Sequence, residues 1–114
     1  TGNRSVSIQV KTSSIQNLQG WKLGKDITVK KFNPGLFVVL VYLEKEGLPD
    51  FYVYEYDFLA EIVEGNYQAY MSKPKRDGSP RKEVGFRWHD LNYFTEDDHA
   101  RKNNWKPIEN ILIK

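Results

Sequence analysis

The sequence predicts a mixed α/β domain with a largely antiparallel sheet. Three observations carry that expectation. Residues 5–12 alternate with a period of two, with Val6, Ile8 and Val10 on one side and Ser7, Gln9 and Lys11 on the other. Residues 36–43, LFVVLVYL, form an unbroken β-branched and aromatic run, and FYVYEY follows at 51–56. A helical stripe of Phe58, Leu59, Ile62 and Val63 comes directly after.

Thr1-Gly2-Asn3-Arg4 reads as a hairpin turn, because Gly2 and Asn3 tolerate positive φ. A turn of that kind needs a strand ahead of it, so the strand over 5–12 is expected to have an open edge in this chain. Val6, Ile8 and Val10 are expected to face a core. Residues 13–35 are loop-rich, with Gly20, Gly24 and the turn signal Asn33-Pro34-Gly35, and Trp21-Lys22-Leu23 is a short strand or an anchored loop. The run over 36–43 reads as a central strand buried on both faces. The polar turn over 44–50, with Gly47 and Pro49, makes a hairpin to 51–56. Asp57 is placed to cap the helix that follows, and Gly65-Asn66 is expected to interrupt or end it. Residues 73–82, KPKRDGSPRK, are a basic loop, 84–91 a further strand, and 95–104 a polar loop or short helix with Thr95 as a cap. Trp105, Ile108, Ile111, Leu112 and Ile113 close the chain.

A length of 114 residues fits one small domain over 1–114. There is no cysteine, which removes disulfides, thiolate metal sites and a thiol nucleophile. No apolar run reaches the roughly 20 residues a membrane helix needs. A cytoplasmic location is the expectation that fits these two features. The net charge of +2 is too mild to define a nucleic-acid binder by itself. Its distribution says more: Lys73, Lys75, Arg76, Arg81 and Lys82 fall in one loop. They can grip phosphates without reading sequence, or they can form an ordinary solvated loop. His89 and His99 have no partner at metal-ligand spacing and read as surface or structural residues. Trp21, Trp88 and Trp105 read as core anchors.

The chemistry lies on the first strand. Residues i and i+2 of a strand share a face about 7 Å apart, so Gln9 and Lys11 converge on one point. An amide oxygen can help hold a divalent ion beside a carboxylate, and a lysine can orient water or stabilise a developing phosphorane charge. At this point IQVKTS resembles the second half of the PD-(D/E)XK nuclease motif, in its Q-x-K variant. Trp21, the strands over 36–43 and 51–56, the helix from Asp57 and Asn103-Asn104-Trp105 extend the resemblance, at low detail, to small bacterial members of that superfamily. It implies a restriction-endonuclease-like core, truncated at the N-terminus, in a metal-dependent DNA endonuclease. Gln9 and Lys11 would be catalytic, with Gln9 also a metal ligand to Mg2+ or Mn2+ and Ser13 supporting them. The family's metal-binding Asp stands on the preceding strand, and this chain has no Asp or Glu before Asp26. The chain alone is therefore expected not to cleave. Its Asp-bearing strand lies outside the sequence, or the site is degenerate, or Asp26 substitutes. The alternative is a non-catalytic nuclease-like module that binds nucleic acid, or one that pairs as a homodimer through the open edge over 5–12.

Overall fold

The computed structural model describes residues 5–13, 20–43 and 47–113. The expected hairpin turn over 1–4 and the first three residues of the turn over 44–50 lie outside these. The elements are β1 (Ser7–Thr12), β2 (Gly20–Gly24), a 3-10 turn (Lys25–Thr28), β3 (Leu36–Tyr42), β4 (Asp50–Glu55), α1 (Tyr56–Met71), β5 (Phe86–Asp90), a 3-10 turn (Leu91–Tyr93), α2 (Glu96–His99) and α3 (Lys106–Ile113). None of these helices is long and apolar enough to cross a membrane.

β3 organises the domain. Its β-branched and aromatic side chains alternate between two apolar clusters, as expected for a strand covered on both faces. Val38 and Leu40 meet Trp21, Leu23 and Ile27 from the β2 segment and Leu59 and Val63 from α1. Phe37, Val39 and Val41 meet Val53 and Ile108 of α3. Each such buried side chain contributes roughly 1.5–3 kcal/mol, so this strand anchors the fold. β4 pairs with it antiparallel, from Phe37 opposite Glu55 to Tyr42 opposite Asp50, as the hairpin pattern predicts.

β1 departs from expectation in two ways. It pairs with β3 in parallel, Gln9 beside Val38 and Lys11 beside Leu40, so the three-stranded sheet is mixed, in the order β1-β3-β4. Alternation reports which face a residue takes but not the strand's direction, and the long connection between β1 and β3 is enough for a parallel return. That connection contains β2, which pairs antiparallel with β5 in a second sheet. The second departure concerns burial. Val6 packs against the α3-side cluster, but Ile8 and Val10 are 43% and 60% exposed although they sit beside the buried Phe37 and Val39.

α1 also differs. It runs through Gly65 and Asn66 without a break, because a single exposed glycine costs a helix only about 1 kcal/mol. Packing of Tyr56, Leu59, Ala60 and Val63 on the core outweighs that. Its N-cap residue is Glu55, not Asp57. The Asp57 carboxylate instead accepts hydrogen bonds from the backbone of Lys31 (2.8 Å) and Phe32 (3.0 Å) and so ties the β2–β3 connection to the helix start. Lys30 pairs with Glu61 on the same seam. Phe32 there has φ 53°.

The NNW stretch closes the other edge of the sheet. Asn103 adopts φ 54°, a left-handed conformation asparagine tolerates, and its side-chain oxygen accepts from Phe51 N at 3.0 Å. Val53 N donates to Arg101 O, Lys102 bridges to Tyr52, and Trp105 packs on the Phe51 ring. Among the described residues, β4 is therefore covered and β1 has the open edge.

Candidate functional site

Gln9 and Lys11 stand exposed on one face of β1, in register with Val38 and Leu40. Their backbone is fixed at both ends: Ser7 N donates to Gly35 O (2.8 Å) and Ser13 N to Val41 O (2.9 Å). By that alternation the Gln9 and Lys11 amides face β3, and those of Ile8, Val10 and Thr12 face the open edge. The structure thus brings the two expected side chains together. Ser13 is elsewhere. It is buried, and its Oγ accepts from Leu43 N at 3.1 Å, so it latches the end of β1 to β3.

A magnesium-type ion asks for about six oxygens, including one or two carboxylates. β1 supplies one amide oxygen and an ammonium, so these residues by themselves do not fit the ion. Asp26 does not bring a carboxylate to them: it lies in the 3-10 turn against α1, where its backbone oxygen accepts from Tyr56 Oη. No group of three or more histidine or acidic side chains suited to a metal occurs among the described residues.

The basic loop is more ordered than its composition suggests. Asp77 Oδ1 accepts from the Ser79 amide (2.9 Å) and hydroxyl (2.6 Å), which holds its carboxyl below the usual range. Gly78, at φ 86°, closes the turn by donating to Lys75 O. Arg81 is committed internally: it donates to Lys73 O and Tyr70 Oη and lies 4.2 Å over the Tyr70 ring. Lys73, Lys75, Arg76 and Lys82 remain exposed and form no ion pair among the described residues.

Two features were missed by sequence reasoning. One is a cleft of about 380 Å³ where the loop meets the end of α1, β5 and the turn after it. Tyr67, Tyr70, Phe86, Trp88 and Tyr93 line it. Trp88 is not the core anchor expected: it is 36% exposed, on the outward face of β5, whereas Trp21 is buried and donates to Val41 O. The alternation of Phe86 and Trp88 in FRWHD was the available signal. The other is a sealed polar cluster. Tyr54 Oη donates to Asp98 Oδ1 (2.7 Å), and His89 Nε2 lies 3.0 Å from the same oxygen. The Thr95 amide and hydroxyl donate to Oδ2. An ionised carboxylate only accepts, so the His89 proton is on Nε2. Tyr54, His89 and Asp98 are fully buried, which makes the cluster a structural device; of the two roles expected for His89, surface or structural, burial leaves the structural one.

No family model, curated protein or solved structure matches this chain.

Proposed function

We propose that this chain contributes Gln9 and Lys11 to a PD-(D/E)XK-type site that hydrolyses DNA phosphodiester bonds. One observation carries the reading: both side chains are exposed on one face of a strand whose outer edge is open among the described residues. The Lys11 ammonium is a mobile donor that can orient an attacking water and meet charge developing on the phosphoryl oxygens. Gln9 offers a neutral oxygen donor beside it. The face has no carboxylate, so a carboxylate-bearing strand laid along the free edge of β1 must complete it before Mg2+ or Mn2+ can bind.

Nicking of plasmid DNA by the whole protein in Mg2+ or Mn2+ tests this. Lys11→Ala is expected to slow cleavage by about 100-fold or more. Cleavage undiminished in that variant overturns the role of the lysine and with it the site. The absence of a carboxylate from β1 favours a second reading, a nuclease-like module that binds DNA without cutting it. That module would bind through Lys73, Lys75, Arg76 and Lys82, lose affinity steeply with salt and be indifferent to divalent ions.

A further inference from the structure

We infer that the aromatic cleft between α1 and β5 binds an unstacked nucleobase with its flanking phosphate, as part of a single-stranded nucleic acid. The inference is separate from the reading of Gln9 and Lys11, since no residue of the cleft belongs to β1.

Three observations converge. The first is ring surface. Tyr70, Trp88 and Tyr93 are 47%, 36% and 46% exposed around one opening. Rings that merely packed the domain would be covered, as Trp21 and Tyr54 are. Bases of every kind have a π face, so such rings act as stacking platforms.

The second is charge. Arg87 is 6% exposed and lies 3.4 Å over the Tyr67 ring. Its Nη1 donates to Val84 O and Phe86 O, and the Glu83 carboxylate is 3.8 Å away and itself largely exposed. Arg87 thus places a cation in the cleft lining, offset in part by Glu83. Lys82 lines the rim, and Lys22 Nζ sits 4.4 Å over the Phe86 ring beside it. Among the described residues Asp90 is the one acidic residue in the lining, and its carboxylate also accepts from Asn92 N at 2.8 Å.

The third is unmet hydrogen bonding. Asn66 Nδ2, Tyr67 Oη and Arg87 Nε are buried atoms with no hydrogen-bond partner among the described residues, and all three residues line the cleft. Buried donors without partners are uncommon and costly. These atoms are closed to solvent as the cleft stands, so ring nitrogens and carbonyl oxygens of a base edge meet them only when the lining side chains turn; an exocyclic amino group can donate to Asp90. A wholly apolar ligand leaves those donors unpaired, and an acidic peptide leaves the rings unused. A base with its phosphate uses the rings, the donors and the cations together. The volume of about 380 Å³ is at the small-molecule end of binding sites, which run from roughly 300 to 1,000 Å³, and suits one nucleotide rather than a duplex.

The test is fluorescence anisotropy of a short labelled oligothymidylate, at low salt and with EDTA, so that cleavage plays no part. The protein is expected to bind the single strand. Trp88→Ala is expected to weaken that binding by about tenfold while leaving affinity for the same sequence in a duplex unchanged. Lys82→Ala is expected to reduce the salt dependence by about one counterion. Tyr93→Ala, on an exposed turn, gives a second reading if Trp88→Ala does not fold. Failure of the protein to bind the oligothymidylate overturns the inference. So does unchanged single-strand affinity in a folded Trp88→Ala or Tyr93→Ala protein, or an equal loss for duplex and single strand. Thymidine monophosphate that displaces the oligonucleotide completely at equal nucleotide concentration moves the site to free nucleotides and overturns the strand assignment.

Discussion

Asp98 shows how a charge is kept inside this small domain. Each of its oxygens takes two hydrogen bonds, from Tyr54 and His89 on one and from the Thr95 amide and hydroxyl on the other. Burial pushes the carboxyl pKa up, but the bonds from His89, the Thr95 backbone and Tyr54 outweigh it and hold the group down to about 2. The same burial and the neighbouring carboxylate drive the Tyr54 phenol upward, so it stays a donor. The folded pKa of Asp98 lies below the unfolded value of 3.8. Its stabilisation is therefore complete above about pH 4 and is lost as pH falls through 2, on the order of 2 kcal/mol in all. Asp98→Asn places an amide nitrogen against donors that the carboxylate had satisfied. It is expected to cost about 2–4 kcal/mol at neutral pH and to remove this part of the acid dependence. Urea unfolding of both proteins at neutral and acid pH measures each effect. An Asp98→Asn variant with the stability and acid slope of the parent would refute the role given to this cluster.

Among the elements, α1 shows what local sequence can and cannot say. Its apolar stripe was legible, because Leu59 and Val63 repeat at helical spacing. Its end was misjudged at Gly65, where tertiary packing overrides propensity. A Cβ at Gly65 meets no atom within 4 Å, and the position is exposed in mid-helix. Gly65→Ala is expected to raise stability by about 0.5–1 kcal/mol, seen as a higher midpoint in thermal unfolding; a lower midpoint would contradict the helix geometry there. The β3–β4 hairpin was legible for a similar reason, since its partners are adjacent in sequence. β2 and β5 come from distant parts of the chain, and nothing in GWKLG names FRWHD as its partner. The parallel direction of β1 was hidden too, because alternation is the same in either direction. The face bearing Gln9 and Lys11 was readable from one strand. The aromatic cleft was not, because a helix end, a loop, a strand and a turn each supply part of it.

Across the whole molecule, burial is unevenly spread, and β1 is at the poor end. β3 is covered on both faces and paired on both edges, whereas all six residues of β1 are exposed. β1 is held by one parallel ladder, the packing of Val6 and the Ser13 latch. Local opening follows the density of buried contacts, so β1 is expected to open without the rest of the sheet. Hydrogen exchange resolved by residue tests this. The amides of Gln9 and Lys11, which face β3, are expected to be protected at least about tenfold less than those of Val38 and Leu40. Equal protection would mean that β1 opens only with the whole domain. The ordering bears on chemistry, because a catalytic pair needs its side chains held to within about 0.5 Å. A strand added to the open edge would pair the outward amides of Ile8, Val10 and Thr12 and, on the same face as α3, shelter Ile8 and Val10. If the reading of Gln9 and Lys11 holds, exchange at β1 in the assembly that cleaves DNA falls to the level of β3, and the completion of the site and the rigidity of its strand arrive in one step.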